Sequence, residues 1–426
     1  MRSCIKSLVE NKKVLILGFG REGKSSYNII ESVGGYASLD VADANQVSLP
    51  EGSNSLLICG ENYMDCLNQY DVVFKSPGIV LPKNPSEYTC QITCQADLFM
   101  KVYGSQIIGI TGTKGKSTTS SLTYHILKNS GKDVLFAGNI GIPVFEITDD
   151  IKPNTIIVIE LSCHQLEYAT NNPHIAVLLN LYEDHIDHYG TVEKYHLAKR
   201  NIYRFQKKSD TLYVGSEWAP SVDECKSNIV KIDSPSLPFA SWEELGIKTL
   251  RGNHNLINAT FVYKICKEYG VSDAQFIDGV KSFKPLAHRL EYIGTKDGVD
   301  FYDDSISTTV ESAISAVKAI SNGSVILIGG MDRGIDYTGL ISFLKDKPIA
   351  NVICMYESGK RVYNELSKCL TDGLHYTDDL TSAVTLAKNL AQKNTAVILS
   401  PAAASYGYFK NFEDRGDKFK EYVFGE

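Results

Sequence analysis

Several features that define membrane-bound, secreted or nucleic-acid-binding proteins are missing from this sequence. None of its apolar runs reaches the ~18 residues that a membrane-spanning helix requires. The N-terminal residues lack the apolar stretch of a secretory signal, and the net charge of −7 argues against a general surface for nucleic acids or anionic membranes. We therefore expect a cytoplasmic protein that binds neither nucleic acid nor membrane.

Regular cysteine spacing is also missing. The ten cysteines are expected to be reduced thiols, because no secretory signal accompanies them. Cys90 and Cys94 could share a helix face, but no matching Cys or His pair follows closely, so we do not expect structural zinc. There is no repeat and no low-complexity linker. A chain of 426 residues that is 43% hydrophobic is instead long enough for several packed domains.

The most informative stretch that is present is a glycine-rich turn after residue 111. The β-branched run 107–111 predicts a buried strand, and helical spacing follows the turn. Glycines let backbone N–H groups approach phosphate oxygens, and a helix N-terminus attracts anions. A lysine side chain can neutralise the β- and γ-phosphates, and a serine hydroxyl can bind Mg²⁺. Ile110 stands where the standard loop has its first glycine. The turn predicts a nucleotide site made of Gly112, Thr113, Lys114, Gly115, Lys116, Ser117 and Thr118.

A second glycine turn lies near the N-terminus. An apolar strand at 14–17 runs into Gly18, Gly20 and Gly23, and residues 36–40 predict a second strand that ends in Asp40. A further strand at 72–75 leads to Gly78. This spacing is typical of dinucleotide-type folds. Alternatively, the turn serves only to pack the helix on the strand and binds no ligand. A function as a nicotinamide-dependent dehydrogenase would be supported by this turn alone.

Polar residues close the next apolar runs, at 134–138, 155–159 and 175–179, which predict buried parallel strands. Glu160 ends one of them, and a carboxylate there needs a partner, for which a nucleotide-bound Mg²⁺ is expected. A salt-bridged or helix-capping glutamate is the alternative. His185 follows the next strand among acids and is a candidate ligand. Lys199, in a helix predicted at 195–203, would by itself be assigned to the surface.

Two asparagines mark a helix predicted to begin at Arg251. Asn255 and Asn258 share one face of it, which suits an amide-rich partner such as adenine. A further series of strands then follows, at 299–305, 324–330, 349–354 and 396–400. Strands alternating with helices in each third of the chain predict an α/β protein of three units.

Taken together, these stretches resemble the Mur ligase family over nearly the whole chain. The similarity is carried by GITGTKGKSTT at 109–119, GNIG at 138–141, ELSCHQLE at 160–167, LNLYEDHIDHYG at 179–190, AKRNIY at 198–203, RGNHNLIN at 251–258, AHRLE at 287–291, DDS at 303–305, GGMDRG at 329–334 and SPAAASYGYFKNFEDRG at 400–416. The last block resembles the glutamate-adding member.

The resemblance implies three domains: a Rossmann-like UDP-binding domain at 1–103, a P-loop-type central ATPase domain at 104–286, and a Rossmann-like C-terminal domain at 287–426 that completes the ATP site and binds the amino acid. It implies a monomeric, ATP-dependent amide ligase of cytoplasmic peptidoglycan synthesis. The carboxylate of UDP-N-acetylmuramoyl-L-alanine would take the γ-phosphoryl group of ATP, and the amine of D-glutamate would displace phosphate from the acyl phosphate.

The resemblance also implies residue roles. Lys116, His185, Lys199 and Arg289 would be catalytic, with Asn258, Arg289 and Asp304 on the nucleotide. Two Mg²⁺ ions would be held by Ser117, Glu160, His185 and a Lys199 carbamylated by carbon dioxide. The UDP-sugar would contact Gly20, Arg21, Glu22, Asp40, Gly78, Asn139, Ser162 and Gln165. Glutamate would contact Thr308, Arg333, Ser405, Tyr406 and Phe412.

Two departures from the family pattern concern the amino-acid pocket. Ile306 stands where the family has a lysine, and Arg333 stands where a lysine is common in some members. D-glutamate is the expected amino acid, and a relative that adds L-glutamate is the alternative. Two further functions are alternatives: a folylpolyglutamate-synthase-like ligase, and a nucleotide-binding regulator without enzymatic activity. The split ATP site also predicts that the third domain moves when ligands bind.

Overall fold

The structure, a computed structural model, describes residues 1–250 and 252–425. Arg251, where a helix was predicted to begin, lies outside them. The chain forms two compact units. Unit 1 comprises Met1–Ser236 and Ile257–Val280, and unit 2 comprises Leu237–Leu256 and the chain from Lys281 onward. Each helix among the described residues is too short or too polar to span a lipid bilayer.

The first sheet of unit 1 is wholly parallel, in the order β3-β2-β1-β4-β5, as in Rossmann-type folds. Its elements are β1 (Lys13–Leu17), β2 (Ser38–Asp43), β3 (Leu57–Cys59), β4 (Val72–Lys75) and β5 (Gln91–Thr93), with helices α1 (Arg2–Val9), α2 (Arg21–Val33) and α3 (Gln95–Tyr103).

The predicted end of the second strand at Asp40 is wrong, because β2 continues to Asp43. Asp40 lies inside the strand and is buried. It accepts hydrogen bonds from the Leu56 N–H (2.9 Å) and the Tyr70 hydroxyl (3.1 Å). Asp43 is the acid at the strand end, and it accepts a hydrogen bond from the Phe19 N–H at 2.7 Å.

The second sheet of unit 1 is also parallel, in the order β11-β10-β9-β6-β8-β7. Its strands are β6 (Ile107–Thr111), β7 (Val134–Gly138), β8 (Ile156–Glu160), β9 (Ile175–Leu178), β10 (Thr211–Gly215) and β11 (Asn228–Ile232). The helices are α4 (Lys116–Asn129), α5 (Cys163–Leu166), α6 (Ile186–Tyr189), α7 (Val192–Arg204) and, mainly within unit 1, α8 (Asn253–Glu268) and α9 (Asp273–Ser282).

Unit 2 contains the third sheet, in the order β12-β13-β17-β14-β15-β16, parallel except for the β12–β13 pair. Its strands are β12 (Glu291–Lys296), β13 (Val299–Asp303), β14 (Gly323–Ile328), β15 (Asn351–Met355), β16 (Leu374–Thr377) and β17 (Ala396–Leu399). The helices are α10 (Val310–Ala319), α11 (Thr338–Lys345), α12 (Tyr356–Leu366), α13 (Leu380–Leu390) and α14 (Phe412–Phe424).

The most apolar strands occupy inner positions of their sheets, where both faces of a strand are buried. In unit 1, β1, β6 and β9 lie inside their sheets and supply buried Val, Ile and Leu side chains, and one apolar cluster extends through both sheets of the unit. The α/β class predicted from these runs is confirmed. The domain boundaries at residues 103 and 286 stay predictions. All ten cysteines are free thiols.

Candidate active site

The glycine turn lies at the carboxyl end of a central strand. β6 pairs with β9 on one side and β8 on the other, and α4 begins at Lys116. Gly112 (φ 155°) and Gly115 (φ 86°) both have positive φ angles, which non-glycine residues adopt only at a cost. The predicted sequence of strand, turn and helix is confirmed.

The turn is held by residues far along the chain. Asn180 accepts the Lys114 N–H through its side-chain oxygen (2.8 Å) and the Thr113 N–H through its carbonyl (3.0 Å). The Thr113 hydroxyl accepts hydrogen bonds from the Tyr182 N–H (2.9 Å) and the Tyr195 hydroxyl (3.0 Å). The sequence did not single out these supporting residues, although Asn180 follows a predicted strand. They fix the turn before any ligand binds.

Lys116 folds back over the turn. Its ammonium group donates to the carbonyls of Gly112 (2.9 Å) and Thr113 (3.1 Å). Lys116, Ser117 and Thr118 form the first turn of α4, where free N–H groups and the helix dipole favour an anion. The cation is therefore placed beside the backbone donors that would receive phosphate oxygens.

Asn258 lies against the turn from α8. Its side chain is 6% exposed, and a Cβ added to Gly115 would lie 2.8 Å from its side-chain oxygen. The absence of a side chain at Gly115 thus lets Asn258 approach the turn. The predicted helix near residue 251 is confirmed from Asn253 onward.

Glu160 is the last residue of β8, directly beside Ile110 of β6. Its side chain is 1% exposed. One carboxylate oxygen accepts a hydrogen bond from the Asn139 side chain at 2.7 Å. The other is buried and has no hydrogen-bond partner among the described residues. Because a buried carboxylate oxygen without a partner is costly, the site fits a cation at this oxygen.

Lys199 is buried, not on the surface as its sequence context alone suggested. It is 1% exposed on α7, and its ammonium lies 4.9 Å from the centre of the Tyr195 ring. Burial, reinforced by the nearby charge of Lys116, lowers the pKa of Lys199 to about 7, against the opposing effects of Cys163, Asp184 and Glu160. A substantial fraction of this amine is therefore neutral near pH ~7.

His185 stands between the loop after β9 and α6. It has a left-handed backbone (φ 52°) and caps the helix, and its side chain is exposed. Its backbone N–H donates to the Asp184 side chain at 3.0 Å. Its ring lies 5.1 Å from that of His164 and 5.9 Å from that of Tyr195. His185, Lys199 and the Thr113 region are thus linked through Tyr195.

A second group of predicted residues joins the first two sheets of unit 1. Arg21 donates to the Gly141 carbonyl at 2.8 Å, and Gln165 donates to the Glu22 carboxylate at 2.6 Å. Ser162 caps α5 and bonds reciprocally with Gln165. Burial raises the pKa of Glu22, opposed by Gln165 and by the charge of Lys75. Arg21, Glu22, Ser162 and Gln165 thus form one polar group. Asp40 does not belong to it, because its hydrogen bonds are to Leu56 and Tyr70.

Lys75, which belongs to none of the sequence motifs, lies close to this group. It ends β4, is buried, and lies 3.7 Å from the Glu167 carboxylate. It donates to the Pro77 carbonyl at 3.2 Å, just before Gly78. Burial lowers the pKa of Lys75, opposed by the charge of Glu167. A basic residue at the end of an apolar strand was the available sequence clue.

In unit 2, loops from three neighbouring strands meet at one edge of the sheet. β13, β17 and β14 lie side by side and lead into the DDS, SPAAAS and GGMDRG segments. The Met331 N–H donates to the Ala404 carbonyl at 2.9 Å. Arg415 is fully buried and donates to the carbonyls of Ser305 (2.7 Å) and Ala403 (3.0 Å). Arg415 thereby holds the DDS and SPAAAS segments together, a structural role that the sequence did not predict.

Asp304 is the buried acid of this edge. It accepts hydrogen bonds from the Leu290 N–H (3.0 Å) and from the hydroxyls of Ser307 (2.5 Å) and Ser400 (2.7 Å). Burial raises the pKa of Asp304 to about 6, against these hydrogen bonds and the charge of Arg289. Arg289 is exposed.

The predicted amino-acid residues lie on these same loops. Thr308, Arg333 and Tyr406 are exposed, Ser405 is buried, and Phe412 opens α14. Ser305 donates to the Phe412 carbonyl at 2.8 Å, which ties the DDS segment to the start of the last helix.

Comparison with known proteins identifies the family of this chain. The Mur ligase middle domain model matches residues 110–241, and the Mur ligase glutamate ligase domain model matches residues 288–403. The UDP-N-acetylmuramoylalanine–D-glutamate ligase of Streptococcus agalactiae is 32% identical over 96% of this chain and 96% of its own. That of Geobacillus kaustophilus is 30% identical over 96% and 97%.

The chain belongs to the Mur ligase family. Solved Mur ligases share its fold: MurF ligase of Thermotoga maritima, in complex with ADP, matches with a TM-score of 0.58 at 16% identity over 99% of both chains. UDP-N-acetylmuramate–alanine ligase of the same organism matches with a TM-score of 0.56 at 18% identity over 96% and 98%. At such identities the likeness supports the fold alone.

Mur ligases use ATP and Mg²⁺, and unit 1 of this Mur ligase offers residues that fit both. The phosphate turn supplies backbone donors and Lys116. The partnerless oxygen of Glu160 and the buried Ser117 are hard oxygen donors of the kind Mg²⁺ prefers.

Proposed function

We propose that this chain is the ATP-dependent ligase that joins D-glutamate to UDP-N-acetylmuramoyl-L-alanine, a step of cytoplasmic peptidoglycan precursor synthesis. The observation that carries the proposal is the buried Glu160 oxygen without a partner, beside a strand that ends in a phosphate turn. A metal-bound triphosphate is the ligand that uses both. The curated relatives with this activity span nearly the whole chain.

The reaction needs two transfers. A substrate carboxylate oxygen attacks the γ-phosphorus of ATP and ADP leaves, which gives an acyl phosphate. The glutamate amine then attacks the acyl carbon, the C–O bond to phosphate breaks, and an amide, phosphate and a proton result. Activation is required because a carboxylate is a poor electrophile, and positioning with charge neutralisation supplies most of the catalysis in phosphoryl transfer.

The residues of this chain act mainly by placing and neutralising charge. The N–H groups of the glycine turn and the Lys116 ammonium hold the phosphates, and Asn258 holds adenine. Ser117, Glu160, His185 and a modified Lys199 would hold two Mg²⁺ ions, which when bound screen the repulsion between the two anionic reactants. Arg289 and Asp304 stay predicted nucleotide contacts on the basis of the family resemblance.

Carbamylation of Lys199 is part of the proposal. The neutral amine attacks carbon dioxide and loses a proton, which turns a buried cation into an anion. The lowered pKa of Lys199, about 7, supports this step because only the neutral amine reacts. The change of charge also removes the repulsion from Lys116.

The sugar nucleotide is assigned to the polar group of Arg21, Glu22, Ser162 and Gln165. Gly20, Gly78 and Asn139 are assigned to it on the basis of the family resemblance. Asp40 remains a predicted contact, although its buried hydrogen bonds supply a structural role. Thr308, Arg333, Ser405, Tyr406 and Phe412 are assigned to glutamate. The monomeric state and the cytoplasmic location stay predictions.

Phosphate release with UDP-N-acetylmuramoyl-L-alanine, Mg²⁺ and ATP tests the function. We expect release with D-glutamate and little with L-glutamate, and the reverse preference would establish the L-glutamate-adding alternative. Release with a folate and not with the sugar nucleotide would contradict the proposal, as would nucleotide binding without turnover. Lys116→Ala should abolish release, whereas the exposed Lys128→Ala on the same helix should not.

A further inference from the structure

Three side chains of unit 1 that can bind a metal ion lie close together, and their ligand atoms are not the oxygens that Mg²⁺ prefers. Cys163, His164 and His185 each offer one ligand atom, and these atoms all lie within 4.8 Å of one another. Cys163 and His164 open α5, and His185 caps α6. Mg²⁺ prefers oxygen ligands, so a thiol and an imidazole from α5 contribute nothing to a magnesium site.

We propose that Cys163, His164 and His185 form a binding site for a borderline-soft transition-metal ion, with Zn²⁺ as the natural example. One thiolate and two imidazoles are a donor set that zinc favours, and three protein ligands leave the fourth position open. In a tetrahedral site such donors lie about 3.3 to 3.6 Å apart, so the three atoms need to approach by no more than about 1.5 Å.

The surroundings allow that approach and hold the ligands in place. Cys163 is 2% exposed and lies in the core, whereas the side chain of His185 is exposed. The His164 ring stacks on Tyr189 with an interplanar angle of 6°, and its Nδ1 lies 3.3 Å from the tyrosine hydroxyl. If Nδ1–H donates to that oxygen, Nε2 keeps its lone pair for the metal, an arrangement common around zinc-bound histidines.

The site shares His185 with the second magnesium position of the proposed function. An ion bound by Cys163 and His164 would draw His185 away from that position. Zn²⁺ would therefore inhibit the ligase while Mg²⁺ is present. This consequence rests on the proposed function, whereas metal binding itself does not.

Cobalt spectroscopy on the full-length protein tests the site without nucleotide or substrate. Co²⁺ is added to reduced, metal-free protein, and one equivalent should give the intense visible bands of tetrahedral cobalt with a thiolate-to-cobalt charge-transfer band. Zn²⁺ should displace it. Cys163→Ser should remove the charge-transfer band, and His164→Phe should weaken Co²⁺ binding by more than about tenfold. Cys369→Ser, at an exposed thiol of unit 2, should keep the full spectrum.

The opposite pattern overturns the proposal. No charge-transfer band in the wild type, or a band kept in Cys163→Ser, would show that the triad does not bind the metal. Circular dichroism confirms that each variant is folded. Zn²⁺ inhibition of phosphate release, expressed relative to the zinc-free rate of each variant, should be weaker in Cys163→Ser than in the wild type. If the protein is not a ligase, the cobalt result still stands alone.

Discussion

At the scale of single residues, the candidate site depends on charged groups that burial makes unstable by themselves. Glu160 has a buried oxygen without a hydrogen-bond partner among the described residues, and the buried ammonium of Lys199 lies against the Tyr195 ring. Each would be costly in a protein that bound nothing there. Their charges are opposite, but no ion pair between these two side chains is found among the described residues, so under the proposed function a metal ion and the carbamate would complete the site.

Lys199→Ala should lose nearly all activity and regain part of it when short carboxylic acids are added. The proposed carbamate acts as an anion, and a small carboxylate can occupy the space left by the lysine side chain. Steady-state phosphate release measures both effects. Lys194→Ala, at an exposed lysine on the same helix, should behave like the wild type. Failure of every acid to restore activity would weaken the role of the adduct.

Asp304→Asn should change how the stability of unit 2 depends on pH. The folded-state pKa of Asp304 is raised from 3.8 to about 6, so the protonated form is favoured in the folded state. The stabilisation is present at low pH and is lost as pH rises from about 4 to about 6, by roughly 3 kcal/mol. The variant should lack this loss.

Urea unfolding at about pH 4 and about pH 7, followed through Trp242 in a Trp218→Phe background, measures the effect. The matched control is Asp346→Asn, an exposed acid of unit 2. Equal pH dependence in the wild type and Asp304→Asn would show that Asp304 does not carry the shift.

At the scale of elements, the turn between β6 and α4 depends on an approach by α8. Alanine at Gly115 would place a Cβ 2.8 Å from the Asn258 side chain, and alanine at Gly131 would meet nothing within 4 Å. Both glycines have similar positive φ angles, 86° and 79°. The pair therefore separates the cost of the backbone conformation from the cost of the clash.

Gly131→Ala should lose about 1 kcal/mol for the left-handed backbone, with unchanged ADP affinity. Gly115→Ala should lose about 1 to 3 kcal/mol more, and its ADP affinity should fall because Asn258 is displaced. Chemical unfolding and calorimetric ADP binding measure the two quantities. Identical stability losses in the two variants would mean that α8 yields without cost.

The elements also show which parts of the structure the sequence could predict. Continuous apolar runs predicted the inner strands, and glycine chemistry predicted the phosphate turn, because both depend on neighbouring residues. The sequence analysis missed β3, β5, β10, β11, β12 and β16, because their short or mixed patterns do not differ from loop sequence until a partner strand pairs with them. The Thr113–Tyr195 hydrogen bond joins residues 82 positions apart, and the burial of Lys199 is likewise tertiary. No local pattern contains either fact.

Asp40 illustrates the same limit. The spacing after the first glycine turn identified an acid at about the right distance. Three more residues of β2 place Asp43, and not Asp40, beside the turn. Strand ends are set by pairing across the sheet, which sequence spacing only approximates.

At the scale of the whole molecule, the two units each contain one tryptophan, Trp218 in unit 1 and Trp242 in unit 2. Trp242→Phe leaves a reporter of unit 1, and Trp218→Phe leaves a reporter of unit 2. Because the phosphate turn belongs to unit 1, Mg²⁺–ADP should stabilise the transition seen through Trp218 by about 2.7 kcal/mol at a hundredfold excess over Kd. The transition seen through Trp242 should move less.

Thermal unfolding of the two variants by fluorescence, with and without Mg²⁺–ADP, measures this difference. Equal shifts in both would show that the units unfold as one cooperative body. A shift confined to Trp242 would contradict the placement of the nucleotide on unit 1.

The path of the chain through unit 1 has a practical consequence for isolating a minimal nucleotide-binding fragment. The chain leaves the unit after Ser236 and returns for Ile257–Val280, which brings Asn258 to the turn and Gly279 against Ile126. A protein cut off at residue 236 would therefore lose both packing partners. Since the Ser236 N–H donates to the Thr260 hydroxyl at 3.0 Å, the exit and the re-entry are close, and a short artificial linker replacing residues 237–256 would join them.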